Sequence, residues 1–160
     1  MLEFYKLMKN NIFFILIFLF FSNFLLAEEF DIKAKNIKID KKSKITIFEN
    51  EVEVIDEFNN LFKADYALYN KELNSLELKG NISSKDINGT IFKSDKATYD
   101  NNSKIFKSFG KSDFETKEGY KVETSDIILN NNNFSINSKN KTFIEDKDGN
   151  KIYLENFEYF

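Results

Sequence analysis

Apolar and polar residues alternate along most of the chain after residue 30, which is the pattern of β-strands with one buried face. The runs 44–47 and 51–54 alternate clearly. Turn-forming residues separate the runs, as at Asn59-Asn60, Gly80-Asn81 and Asn88-Gly89. Because the runs are too short for ordinary helices, the pattern predicts an all-β domain.

The alternation repeats every thirty residues, with two closely matching middle copies at 62–70 and 92–100. Four positions of the repeat carry mostly apolar or small side chains in all five copies. They are Ile32, Phe62, Phe92, Val122 and Ile152; Ala34, Ala64, Ser94, Thr124 and Leu154; Ile37, Ala67, Ala97, Ile127 and Phe157; and Ile39, Tyr69, Tyr99, Leu129 and Tyr159. The repeat indicates one structural unit used several times.

Within each unit the apolar positions change from even to odd numbers. Phe62 and Ala64 are followed by Ala67 and Tyr69, and a regular strand would place these pairs on opposite faces. A bulge or corner between the pairs explains the change, and so does a strand buried on both faces. About ten strands would strain a flat sheet. Folding into two facing sheets or coiling into a solenoid would bury the apolar residues, and we expect a curved, open sandwich whose interior is a groove or channel.

The first 27 residues have the features of a secretory signal helix. Lys6 and Lys9 precede an apolar run at 12–21, and cleavage after Ala27 is expected. An uncleaved anchor is the alternative, although 12–27 is shorter than the roughly 20 residues of a spanning helix. Both interpretations deliver the domain at 28–160 across a membrane.

The composition removes several kinds of chemistry. The chain lacks Cys, His and Arg, and its formal charge is −3. This excludes a thiol nucleophile, an imidazole base, a disulfide and the usual zinc site, and it argues against nucleic acid as a partner. Asp65 and Asp95 could form a carboxylate pair, but we interpret them as structural. The segment 146–150 is predicted to be a hairpin turn, not a calcium loop. We expect no enzyme activity, metal or cofactor.

The two best copies carry a family resemblance. A small residue, Asp, Ala and Tyr are spaced alike in 64–70 and 94–100, and each stretch is followed by a weak strand and then Gly80-Asn81 or Gly110-Lys111. This resembles the OstA-like domain of the lipopolysaccharide transport proteins LptA, LptC and LptD, over roughly residues 30–160. Ser125 and Glu155 depart from the motif, because both stand where Asp is expected.

The resemblance implies a twisted, open β-jellyroll that forms part of a bridge across the periplasm and whose interior shelters the acyl chains of lipid A. Association with the inner or the outer membrane is compatible with this location. The resemblance implies partner domains that join by β-strand addition, and it is also compatible with a homo-oligomer of this chain. An LptA-type protein, a truncated LptD N-terminal region and an anchored LptC-type component are all compatible. A secreted structural β-repeat protein without lipid binding is the other alternative. The candidate groove residues are Phe62, Tyr69, Phe92, Tyr99, Phe106, Phe114, Val122, Leu129, Phe134 and Ile152.

Overall fold

A computed structural model describes residues 30–56, 59–86, 89–133 and 135–159. The predicted signal segment 1–27 and Phe134 lie outside the described residues. In the described part, thirteen strands form one antiparallel sheet, which confirms the all-β prediction. The strands are β1 Phe30–Lys33, β2 Asn36–Asp40, β3 Ile45–Asp56, β4 Leu61–Asn70, β5 Ser75–Lys85, β6 Ile91–Asp100, β7 Ile105–Glu115, β8 Lys121–Ser125, β9 Ile128–Asn130, β10 Ser135–Ser138, β11 Thr142–Glu145, β12 Lys151–Leu154 and β13 Phe157–Tyr159.

The described chain crosses the sheet nine times, and each crossing pairs with the one before and after it along the sequence. We call each crossing a pass. Passes two to six are the long strands β3 to β7, whereas passes one, seven, eight and nine are each split into two short strands. One repeat of thirty residues is therefore two antiparallel passes joined by a hairpin.

Each long pass bends at its middle, where the ladder register breaks. Asn50, Gly80 and Gly110 have positive φ angles at this bend on β3, β5 and β7, which carry the extra residue of the register shift. On β4 and β6 no residue has positive φ, and the apolar side chains change there from even to odd numbers across the bend, so that Ala64 and Ala67 are both buried. This corner therefore accounts for the even-to-odd change in the sequence and folds the sheet into two facing layers. The first layer contains β1, β8, β11 and β12, and the second contains β2, β9, β10 and β13.

Each of the four repeat positions becomes a row of side chains across the inner face. The two outer positions form the rim rows, defined by continuous cross-strand pairing. The first rim row is Ile32, Val54, Phe62, Ser84, Phe92, Phe114, Val122, Ile144 and Ile152. The second rim row is Ile39, Thr46, Tyr69, Leu76, Tyr99, Phe106, Leu129, Ile136 and Tyr159. The two inner repeat positions, those of Ala64 and Ala67, lie beside the corner. We call the two rows of side chains at these positions the seam.

Hairpin turns close both ends of the passes with repeated side-chain caps. At one end, Asp100 accepts hydrogen bonds from the backbone N–H groups of Asn102 and Ser103 at 2.9 and 3.2 Å. At the other end, Asp146 accepts from the N–H groups of Asp148 and Asn150, both at 2.9 Å. The 146–150 segment is thus the predicted hairpin turn. Among the described residues, no group of acidic side chains is arranged to hold a metal ion, and no helix there is long and apolar enough to span a membrane.

Candidate apolar groove between the two layers

All nine candidate groove residues within the described ranges lie on the rim rows of the inner face. Five belong to the first rim row and four to the second. They differ in burial. Phe106 and Val122 are buried, Ile152 is 49% exposed, and the other six are half-buried. Their contact with a lipid stays a prediction, but they share the face that the sequence assigned to them.

The middle of the interior is filled by aromatic side chains from both layers. Phe106, in the second layer, stacks on Phe62 with ring centroids 6.1 Å apart. It also meets Phe92 edge to face at 5.4 Å. These rings pack on a core of small and branched side chains that includes Ala67 and Ala97, both fully buried. The middle passes therefore form a packed core and not an open channel.

Phe30 closes the interior at the N-terminal side. Its ring lies edge-on between Tyr69 and Tyr99, at centroid distances of 5.9 and 5.8 Å. Sequence reasoning missed this residue because the corresponding repeat positions hold Asn60, Thr90, Tyr120 and Asn150, so an aromatic residue does not recur there regularly. The only available signal was an aromatic residue preceding the first apolar position.

Fewer ring contacts join the two layers toward the C-terminal end of the sheet. The only ring contact between the layers there, among described residues, joins Phe114 and Phe157 at 6.4 Å. In the last pass Ile152 and Tyr159 are 49% and 68% exposed although they continue the two rim rows. In the first pass Ile39 is 66% exposed. The inner face is therefore exposed in both edge passes and most buried between them.

The seam changes chemistry along the sheet. Between passes two and five it is mainly apolar, with Val52, Ala64 and Leu78 buried. From there to the C-terminal end it carries buried hydroxyl groups that bond to one another and to the backbone. They are Ser94, Ser108, Ser112, Thr124, Ser138 and Thr142. The floor of the groove therefore combines hydroxyl groups that are satisfied internally with apolar side chains such as Ile127 and Leu154.

The outer faces of both layers are charged. Glu53 accepts a hydrogen bond from Lys63 at 2.7 Å, and Glu77 pairs with Lys79 at 3.0 Å. The hydrogen bond from Lys79 lowers the pKa of Glu77. Such exposed pairs contribute little stability, but they keep the outside polar while the inside is apolar.

The two aspartates of the repeat motif do not face each other. Asp65 lies on β4 and Asp95 on β6, with β5 between them, and both are exposed. Asp65 accepts a hydrogen bond from the Asn81 side chain at 2.7 Å, beside the corner at Gly80. This arrangement supports a structural role at the bend.

Both edges of the folded sheet are unpaired within the described residues. β1 and β2 pair only with β3, whereas β12 pairs only with β11 and β13 only with β10. The edges differ in character. Asp31 and Lys33 face outward at the first edge, whereas Tyr153 is 75% exposed at the last. Edges of this kind can accept a strand from another chain.

The folded, open antiparallel sheet defines a twisted β-jellyroll, and the same architecture occurs in a protein of known structure. The chain is similar to LptH from Pseudomonas aeruginosa, the LptA-homologous periplasmic component of a lipopolysaccharide transport device, with a TM-score of 0.61. The match covers 78% of this chain and 93% of LptH at 9% sequence identity. At this identity the likeness establishes the fold. No family model matches the sequence, and no curated protein matches it.

Proposed function

We propose that this protein is a periplasmic component of lipopolysaccharide transport that shelters the acyl chains of lipid A between its two layers. The observation that carries the proposal is the pair of apolar rim rows facing each other inside a charged shell, in the fold of LptH. The carrier performs no chemistry in this account. The repeat supplies the walls, and the sugars of the cargo stay in solvent outside.

The physical need for such a carrier is large. Each methylene exposed to water costs about 0.8 kcal/mol, so a twelve-carbon chain costs about 9 kcal/mol. A groove that offers dispersion contacts without fixed hydrogen bonds removes this cost while letting the chain slide, since hydrophobic contact is non-directional. The apolar walls at Phe114, Ile136 and Ile144 have this character.

The unpaired edges suggest how a bridge is built. A second domain of the same type can add its first edge to β12 and β13, which extends both rim rows across the junction. The partner is another OstA-like domain or a second copy of this chain. Whether the chain acts as an LptA-type bridge, as part of an LptD or as an anchored LptC-type component belongs to the same proposal.

One observation favours a second function, a secreted structural β-repeat protein. The contacts of Phe106 with Phe62 and Phe92 fill the middle of the interior. A protein whose whole interior is packed would bind no lipid. Lipid binding therefore distinguishes the two functions.

Two adjacent residues of β11 provide a matched test. Ile144 lies on the inner face and Phe143 points outward, where its ring contacts Tyr153 at 5.1 Å. We expect Ile144→Asp to weaken binding of fluorescent lipopolysaccharide to the full chain by about tenfold or more, because it places a charge in the apolar wall. Phe143→Asp should leave binding within about twofold, since a charge facing water carries little desolvation cost. A folded wild-type protein that binds no lipopolysaccharide at micromolar concentration would refute the proposed function.

A further inference from the structure

One row of side chains on the outer face of the first layer changes character in its last two members. The row follows continuous cross-strand pairs and consists of Lys33, Glu53, Lys63, Ser83, Lys93, Asp113, Glu123, Phe143 and Tyr153. Its first seven members are polar, and six of them carry a charge. Two aromatic side chains therefore stand side by side where the preceding passes present charged or hydroxyl groups to solvent.

The two rings form an exposed platform in which Phe143 supports Tyr153. Their centroids are 5.1 Å apart, and their planes are inclined by 45°. Phe143 is half-buried, and the Lys151 ammonium lies 5.8 Å from its ring centroid. Tyr153 is 75% exposed, which is the largest exposed fraction of any large hydrophobic side chain within the described ranges. A ring held in this way gains free energy when a ligand covers it.

A depression of about 540 Å³ lies beside this platform. Residues of β8, β11 and β12 contribute most of its lining, and the charged side chains around it are Lys111, Glu123, Lys141 and Glu155. The volume falls in the range of about 300–1,000 Å³ that is typical of small-molecule sites. The outer face of the first layer therefore has space for a small ligand next to the Tyr153 ring.

The charged groups around the depression are balanced and keep hydrogen-bonding capacity. Nζ of Lys111 lies 3.8 Å from Oε2 of Glu123 and 3.5 Å from Oδ2 of Asp113, and Nζ of Lys141 lies 4.0 Å from Oε1 of Glu155. These separations are longer than a hydrogen bond between an ammonium and a carboxylate. Two ammonium donors and two carboxylate acceptors of the lining are thus available to a ligand, and together they carry no net charge.

This combination of groups restricts the ligand. An alkyl chain would cover the charged side chains without satisfying them, which is costly. A phosphate group or a metal cation gains little from a balanced set of charges, because repulsion by one sign offsets attraction by the other. A pyranose ring has the matching chemistry. Its C–H face stacks on an aromatic ring, and the hydroxyl groups around its edge both donate and accept hydrogen bonds.

We propose that this depression binds an uncharged saccharide, with one sugar ring stacked on Tyr153 and its hydroxyl groups bonded to the four charged side chains of the lining. We name it the outer saccharide site. It goes beyond the proposed function, because Tyr153 follows Ile152 on β12 and faces the opposite side of the sheet. The saccharide is therefore a second ligand and not the head of an acyl chain held inside. Such a ligand tethers the protein without displacing the cargo.

Saturation-transfer difference NMR on the full chain tests the site with two uncharged probes, maltotriose and triacetylchitotriose. Tyr153→Ala and Tyr120→Ala are the matched variants, since both tyrosines are exposed but Tyr120 lies in the hairpin turn at 116–120. Circular dichroism checks that each variant keeps its β-structure. We expect the wild type to bind at least one probe, and Tyr153→Ala to raise the dissociation constant by about fivefold or more through loss of the stacked ring. Tyr120→Ala should change it by less than about twofold.

Equal binding by the wild type and Tyr153→Ala overturns the outer saccharide site, because the ring then makes no contact with the sugar. Absence of binding of both probes at millimolar concentration, with folded protein, overturns it as well. Preferential binding of the deacylated, phosphorylated saccharide of lipopolysaccharide overturns the choice of an uncharged ligand. All three results leave the proposed function intact, since binding of whole lipopolysaccharide to the inner face is measured separately with Ile144→Asp. Loss of that binding alone leaves the outer saccharide site intact.

Discussion

The packing of Phe106 gives a direct test of the closed middle of the sheet. Phe106 is 8% exposed and contacts both Phe62 and Phe92 across the layers. Truncating a buried phenylalanine to alanine costs about 3–5 kcal/mol, and part of that cost is the lost ring pairs at about 0.5–1.5 kcal/mol each. We expect Phe106→Ala to destabilise the protein by about 4 kcal/mol.

Phe109 is the matched control, because it lies on the same strand and faces outward. It is 42% exposed, and the Lys96 ammonium lies 5.3 Å from its ring centroid. Loss of this cation–π contact and some apolar cover should cost below about 1 kcal/mol.

Urea unfolding followed by circular dichroism measures both variants at 25 °C. With a slope of about 1.5 kcal/mol per molar, Phe106→Ala should lower the urea midpoint by about 2–3 M. Phe109→Ala should lower it by less than about 0.7 M. A cost for Phe106→Ala below about 1.5 kcal/mol, or one equal to that of Phe109→Ala, would refute the packed middle, because a ring lining an open channel has little packing to lose.

Three further predictions concern the corner, the turns and the floor. Gly80→Ala should lower the stability measured by urea unfolding more than Gly110→Ala does. Both glycines have positive φ, but a Cβ at Gly80 would lie 2.5 Å from Oδ2 of Asp65, whereas a Cβ at Gly110 would meet nothing within 4 Å. Equal costs would contradict the close approach at Gly80. Turn hydrogen bonds lower the pKa of Asp146 in the folded state, so its stabilising contribution is complete above the unfolded pKa of about 3.9 and is lost as pH falls through the folded pKa. The stability difference between wild type and Asp146→Ala should accordingly shrink between pH 6 and pH 2, as followed by urea unfolding at each pH, and a constant difference would contradict the turn assignment. Thr124→Val should cost about 1 kcal/mol, because it removes the hydrogen bonds of Thr124 to Ser138 and Thr142 while both partners keep a bond to the backbone; a neutral effect in thermal unfolding would show that the floor tolerates an apolar surface.

Much of the fold could be predicted from the sequence, because the thirty-residue period and the alternation report directly on which side chains share a face. Phe62 and Ala64 followed by Ala67 and Tyr69 required a bulge, a corner or two buried faces, and the structure has the corner. The expected number of about ten strands is close to the nine passes but lower than the thirteen strands of the structure. The numbers differ because the splitting of a pass at the corner depends on backbone angles, such as the positive φ of Asp126.

The state of the groove could not be predicted in the same way. Phe62 and Ile152 are equivalent by sequence, but one is covered by Phe106 and the other stands in the last pass with no neighbour beyond it among the described residues. The burial of a side chain at this repeat position therefore depends on where its strand lies in the sheet and not on the residue type. The closing role of Phe30 was invisible for a related reason, since it belongs to no repeat position.

The central claim is that the inner face shelters lipid acyl chains, and native mass spectrometry of the full chain tests it most directly. The protein would be secreted in a lipopolysaccharide-producing bacterium, purified without detergent and compared with Ile144→Asp, whose charge faces the groove. We predict bound lipopolysaccharide on the wild type and a marked loss on the variant. A folded wild-type protein that carries no lipid would contradict the claim and favour a structural β-repeat protein.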